Sequence, residues 1–282
     1  MPSSSAQHWA DLVNAVDAQR RRLGMATWAD RWTRAAASGA AGFRQDPRRE
    51  LDASLEVIAS YLEPADVLLD IGGGAGRYAL PLALRCREVI NVEPVMRMGE
   101  EFEASARQAR IANARWVDAE WPSTAAVEAD VSLATNVVSF VADIVAFIER
   151  LVASSRRRVM VVGSTYPFWD EASDIFRTVH GEPRARLPEY RELLPVLWEL
   201  GIVPDVRVLG PTEVGQRTSR VFSTRGEAIE VYLRLVEGDG DDARSRIESA
   251  FEDLFLPVEG GFRRPPAPTT PRVILTTWKT RA

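Results

Sequence analysis

Two acids and four glycines in residues 67–93, VLLDIGGGAGRYALPLALRCREVINVE, have the types and spacing to hold a nucleotide-like ligand. Asp70 stands two residues before Gly72, and Gly73, Gly74 and Gly76 follow closely. Without Cβ atoms the chain can turn sharply there and let a ligand approach the main chain. Glu93 ends the stretch, and a carboxylate offers two acceptor oxygens to neighbouring hydroxyl donors.

The elements that must position these residues follow from pattern. Val67, Leu68, Leu69 and Ile71 form the apolar run of a strand buried on both faces of a parallel sheet. Residues 77–87 predict a helix with Pro81 in an early turn, and residues 89–92 predict a second strand leading to Glu93. Strand, glycine turn, helix, strand and terminal acid make a nucleotide-binding half of a doubly wound sheet. The dinucleotide fingerprint G-x-G-x-x-G fails, because the sixth position counted from Gly72 is Arg77. An acid two residues before G-x-G-x-G, as in Asp70, Gly72, Gly74 and Gly76, instead resembles the first motif of the class I S-adenosylmethionine-dependent methyltransferases.

That resemblance implies an α/β fold with a Rossmann-like, doubly wound, seven-stranded, mostly parallel sheet and S-adenosyl-L-methionine as cofactor. It places the glycine turn at the methionine part of the cofactor and Glu93 at the ribose hydroxyls, with Asp70 and Pro94 also among the cofactor-binding residues. The Glu93 side chain is expected to face an open cleft. After a helix over 98–112 and a strand over 114–117 comes VDAEWP, similar to the D-A-E-x-L-P stretch of the small-molecule branch of that family. The likeness assigns Asp118 to the adenine amino group and the Ala119 N–H to a ring nitrogen. Asn136, after a strand over 130–135, falls where the family keeps the residues nearest the transferred methyl group. The D/N-P-P-Y signature of many amino-group methyltransferases is absent, since Val137, Val138 and Ser139 follow Asn136.

Around this core the chain predicts helices over 5–22, 28–37 and 46–62, the second capped by Thr27 and the third opened by Asp46 and Pro47. Trp28 and Trp32, four apart, share a helical face, which suits packing or the wall of an acceptor pocket. A fifth strand is expected over 159–162, preceded by the arginines 156–158, with no Pro-Gly-Gly turn before it. Tyr166, Phe168 and Trp169 lie just past this strand, at the edge where open α/β sheets bind ligands, and are candidate acceptor contacts. Tyr166 and His180 are the candidate general bases; packing and a surface loop, respectively, are the alternatives. A helix over 187–200 and strands over 206–209 and 273–278 complete the sheet. The last two strands are separated by residues 210–271, read as a helical lid with helices over 225–236 and 241–255. The domain division is a helical cap over 1–63 and a methyltransferase domain over 64–282.

A formal charge of −5 argues against a protein dedicated to nucleic-acid backbones. Cys86 is the one cysteine, so no intrachain disulfide forms, and its apolar helix face predicts a buried thiol. With no apolar run of membrane-spanning length and no basic-then-apolar leader, a cytoplasmic protein without a membrane partner is expected. His8, His180 and Cys86 have no zinc-site spacing, so no metal is expected. The expected activity is methyl transfer to a small-molecule acceptor. A non-catalytic cofactor-binding or partner-docking protein and a nicotinamide-dependent oxidoreductase are the alternatives.

Overall fold

The computed structural model describes residues 4–39, 44–122, 127–165, 172–211, 220–266 and 272–280. Its centre is a seven-stranded sheet of order β3-β2-β1-β4-β5-β9-β6. The strands are β1 (Val67–Ile71), β2 (Glu88–Val92), β3 (Ala114–Val117), β4 (Ala129–Thr135), β5 (Ser155–Ser164), β6 (Asp205–Pro211) and β9 (Arg272–Lys279). The first five are parallel to one another, whereas β9 runs antiparallel between β5 and β6. Each residue of β1 is buried, as a strand covered on both faces requires.

Helices cover both faces. Trp9, Val13 and Val16 of α1 (Ser4–Arg22) pack in one core with α6 (Ile144–Ser154), α8 (Tyr190–Glu199) and the outward side chains of β1, β2 and β5. The Trp9 indole also donates to the Val141 carbonyl at 2.8 Å. Leu55 and Ile58 of α3 (Ala53–Ala59), α4 (Ala79–Ala83) and Phe102 of α5 (Met96–Gln108) form the opposite core. Between α1 and α3 lies α2 (Trp28–Gly39), with the Thr27 hydroxyl accepting from the Asp30 N–H at 3.1 Å. Thus α1 and α3 are built into the two faces of the sheet.

Several expected boundaries move. The helix expected over 46–62 is α3 alone, because Asp52 caps it by accepting from the Leu55 N–H at 2.8 Å, while the Asp46 carboxylate closes a turn on the Arg48 N–H. The helix expected over 77–87 shrinks to α4, whose middle residue Pro81 donates no hydrogen bond. Cys86 is buried, and burial pushes its thiol up to about 11. The arginines placed before the fifth strand are inside it: α6 passes directly into β5 at Ser155, Arg157 pairs with Asp66, and Arg158 donates to the Thr277 hydroxyl at 3.1 Å.

Residues 225–263 form α9 (Arg225–Val236), α10 (Gly240–Ser249), α11 (Phe251–Leu254) and a hairpin of β7 (Leu256–Val258) with β8 (Gly261–Arg263) that the sequence reading did not anticipate. Together with α7 (Ser173–His180) they enclose a third core, rich in aromatic rings. Among the described residues no helix is long and apolar enough to cross a membrane.

Candidate functional site

The chain order reverses direction across the sheet between β1 and β4, and open α/β sheets bind ligands at such a switch point, beyond the carboxyl ends of the strands. The glycine turn leaves β1 there. Gly72, Gly74 and Gly76 all have positive φ (65°, 55° and 86°), a conformation that disfavours side chains. A Cβ on Gly72 would come within 2.5 Å of Val137, just past β4, and one on Gly76 within 2.6 Å of Phe102. Gly74 differs: a Cβ there would meet nothing within 4 Å, so its bare face is open.

Three polar side chains support the turn from below. Asp70 is 1% exposed, and neither carboxylate oxygen has a hydrogen-bond partner among the described residues. Burial, with the negative charge of Glu93 beside it, pushes Asp70 up to about 7. Glu93 accepts from the Gly74 N–H at 3.0 Å and the Val95 N–H at 2.9 Å. The expected open cleft around Glu93 is therefore corrected: the side chain is buried and anchors both the turn and the start of α5. Burial raises its pKa, and the Val95 and Gly74 N–H groups partly offset that rise. Asn91, which sequence reasoning missed, donates to the Gly74 carbonyl at 3.0 Å. A polar residue in the apolar strand VINV, two before Glu93 and so on its face, was the available signal.

The other expected cofactor contacts follow along the same sheet edge. Pro94, Asp118 and Asn136 are exposed at the ends of β2, β3 and β4, and Ala119 is half-buried. Asn136 has φ +56° and donates its N–H to the Val162 carbonyl at 2.8 Å. Trp116 closes the β3 side, its indole donating to the Glu93 carbonyl at 2.8 Å and its ring lying where a Cβ on Gly99 would fall.

The α2 helix reaches both sides of this edge. Its Ala36 packs with Ala75 of the turn and Met98 of α5. Nearer its start, Trp28 and Trp32 stack at 6.5 Å and both meet Phe140, at 4.9 and 6.1 Å, in the turn that follows β4. The Arg20 guanidinium lies 4.3 Å from the Trp28 ring and, with Arg31, grips Glu237 at the end of α9. Burial acts to raise the Glu237 pKa, but the Arg20 hydrogen bond and the guanidinium charges of Arg31, Arg20 and Arg184 outweigh it and hold the carboxylate below its usual range.

Tyr166, Phe168 and Trp169 lie outside the described residues. His180 is not brought to the glycine turn by any contact it makes: its ring packs on Phe176 at 4.4 Å, and Nε2 bonds the Val236 carbonyl at 2.9 Å.

Residues 69–159, which carry most of this geometry, match the family model described as a methyltransferase domain. The YcgJ protein of Bacillus subtilis has a similar structure, with TM-score 0.54 and 14% identity over 81% of this chain and 98% of that one. This is the fold of the class I S-adenosylmethionine-dependent methyltransferases. A methyltransferase from Geobacter sulfurreducens, solved with S-adenosyl-L-homocysteine, shares it at TM-score 0.53 and 14% identity, over 87% of this chain and 98% of its own. Among curated sequences, the 23S rRNA (uracil(1939)-C(5))-methyltransferase RlmD of Pseudomonas putida is 39% identical over 70 residues. That match spans 24% of this chain and only 16% of the relative.

Proposed function

We propose that the protein is an S-adenosylmethionine-dependent methyltransferase that acts on a small-molecule acceptor. The observation that carries this reading is the open face of Gly74, set at the switch point above two buried carboxylates. Residues and cofactor fit chemically. Asp70 lends negative potential to a place where a cationic methionine group would lie, and each oxygen of Glu93 keeps a lone pair beyond its backbone partner for a ribose hydroxyl. In this reading Asp118 and Ala119 take the adenine edge, Pro94 follows the ribose acid and Asn136 serves the reacting end; their common position at the carboxyl ends of β2, β3 and β4 supports it.

When bound, the cofactor supplies an electrophilic methyl group on a sulfonium. The task of this chain is to align an acceptor with that group and exclude water, an effect of about 7 to 11 kcal/mol when orientation is good. Trp28 and Trp32, joined by Phe140, form the wall we assign to the acceptor, and Tyr166, Phe168 and Trp169 are assigned to the same pocket. Tyr166 is the base this reading favours, should the acceptor need one, because the Nε2 of the other candidate, His180, already bonds the Val236 carbonyl. Residues 210–271 act in this reading as a lid, tied through Glu237 to Arg20 of α1 and Arg31 of α2.

Titration calorimetry with S-adenosylhomocysteine tests the reading. The parent protein should bind. Gly74→Val, which puts a branched side chain on the open face at positive φ, should bind at least 100-fold more weakly while remaining folded. Absence of binding in the parent, or equal affinity in the variant, overturns the assignment. A screen of pooled hydroxyl, amine and carbon-acid acceptors for release of demethylated cofactor then tests the acceptor class.

A further inference from the structure

The polar group left unexplained by the proposed roles is Asn91. It is fully buried, and it stands in register with Asp70 on the neighbouring strand β1. Two residues further along β2's face is Glu93, so a neutral amide sits between two buried carboxylates. Gly74 is held at both ends of its residue: Glu93 accepts from its N–H at 3.0 Å, and Asn91 Nδ2 donates to its carbonyl at 3.0 Å. Gly73 is pressed onto the same cluster, since a Cβ there would meet Asp70 Oδ2 and come within 2.5 Å of Asn91 Oδ1. The residue whose bare face is open is thus held from below, through its two flanking peptide groups, by two side chains of opposite hydrogen-bonding sense.

We infer that Asn91 is a positioning residue, which fixes the Gly74 carbonyl so that the glycine turn is preformed for the methionine part of the cofactor. The inference rests on the cofactor assignment above but concerns a residue that would not touch the ligand. A carboxylate cannot replace the amide, because an ionised acid has no proton to donate and would stand between Asp70 and Glu93. A protonated acid can replace it. The O–H of a neutral carboxyl group donates from nearly the same place as Nδ2, and burial together with those two neighbours favours that form.

Two variants separate positioning from mere packing. Asn91→Leu fills similar space without a donor, and Asn91→Asp supplies one only while protonated. Affinity for S-adenosylhomocysteine is measured between pH 6 and 9 by calorimetry, and hydrogen exchange of the 72–76 amides is measured without ligand. Asn91→Leu should bind at least tenfold more weakly than the parent at every pH and exchange its turn amides at least tenfold faster. Asn91→Asp should stay within threefold of the parent at pH 6 on both measurements. Should Asn91→Leu fail to fold, Asn91→Ala takes its place. An Asn91→Leu protein within threefold of the parent, or an Asn91→Asp protein as weak as Asn91→Leu at pH 6, overturns the inference. If the parent binds no cofactor, the functional reading fails by itself, and the exchange rates still decide the role of Asn91.

Discussion

Beneath the glycine turn the buried side chains include the polar Asp70, Asn91 and Glu93; the core enclosed by α7, α9, α10, α11 and the β7–β8 hairpin includes the aromatic Phe176, Phe222, Tyr232, Phe251 and Phe255. Burial of the second set releases apolar surface from water and stabilises the fold. Burial of the first set has the opposite sign, because Asp70 is withdrawn from water with no hydrogen bond among the described residues to replace it. Such a group is tolerated where a ligand or a proton is to be held. The contrast therefore separates a region whose burial stabilises the fold from one whose burial costs stability, as the proposed cofactor role would require.

The largest effect should come from emptying the aromatic unit. Phe255 stacks on Phe251 at 4.6 Å and meets Tyr232 edge-on at 5.5 Å. Phe255→Ala should destabilise the protein by about 3 to 5 kcal/mol, the usual range for a buried Phe. Urea denaturation gives that number. Cofactor affinity of the molecules that remain folded should be close to that of the parent, and a collapse of affinity alongside stability would show that the two regions are one cooperative support.

Neutralising Asp70 should move stability the other way. Its native pKa of about 7 stands above the ordinary 3.8, so between those values the unfolded chain is ionised while the native state keeps its proton. Stability should therefore fall as pH rises through the window from about 4 to 7 and level off above it. Glu93, whose pKa is also raised, adds to the same slope. Asp70→Asn removes the Asp70 contribution and should be more stable than the parent at pH 8, by on the order of 4 kcal/mol. Its cofactor affinity should drop. Urea denaturation at pH 5, 6, 7 and 8 checks the slope, and an Asp70→Asn protein no more stable than the parent at pH 8 would break the contrast.

The two regions also differ in how far they could be read from sequence. Asp70, the glycines and Glu93 are short-range: residue type and spacing fix a strand end, a turn and a neighbouring strand end, and the fold keeps them together. Asn91 escaped because its partner is a backbone carbonyl 17 residues away, which no motif registers. Helices α9 and α10 were visible through their apolar periodicity, whereas the cap that starts α9, the Thr224 hydroxyl accepting from the Glu227 N–H, was not read. The hairpin was not read, although Gly260 and Gly261 with positive φ mark its turn; each of its strands has only three residues, too few to show alternation. The grip of Arg20 and Arg31 on Glu237 joins residues more than 200 apart, and its charges are ordinary surface charges to any local reading.

The smallest effect concerns α2, the element that touches both regions. Its start is tied toward the aromatic unit through Arg31 and Glu237, and Ala36 rests on Ala75 of the glycine turn. Thr27 caps it, accepting from the Asp30 N–H and donating to the Asp30 carboxylate at 2.8 Å. Thr27→Ala should cost about 1 kcal/mol, as loss of an N-cap usually does. If α2 opens locally before the sheet unfolds, that cost should appear as roughly fivefold faster hydrogen exchange over 28–39, with only a small change in global stability. Thr27→Ser should restore the parent rate. If α2 is a single roof, amides near Ala36 should accelerate as much as those in the first turn of α2. Acceleration confined to residues near the cap would instead assign the second half of α2 to the glycine turn's own support, and the boundary between the two regions would then run through the helix.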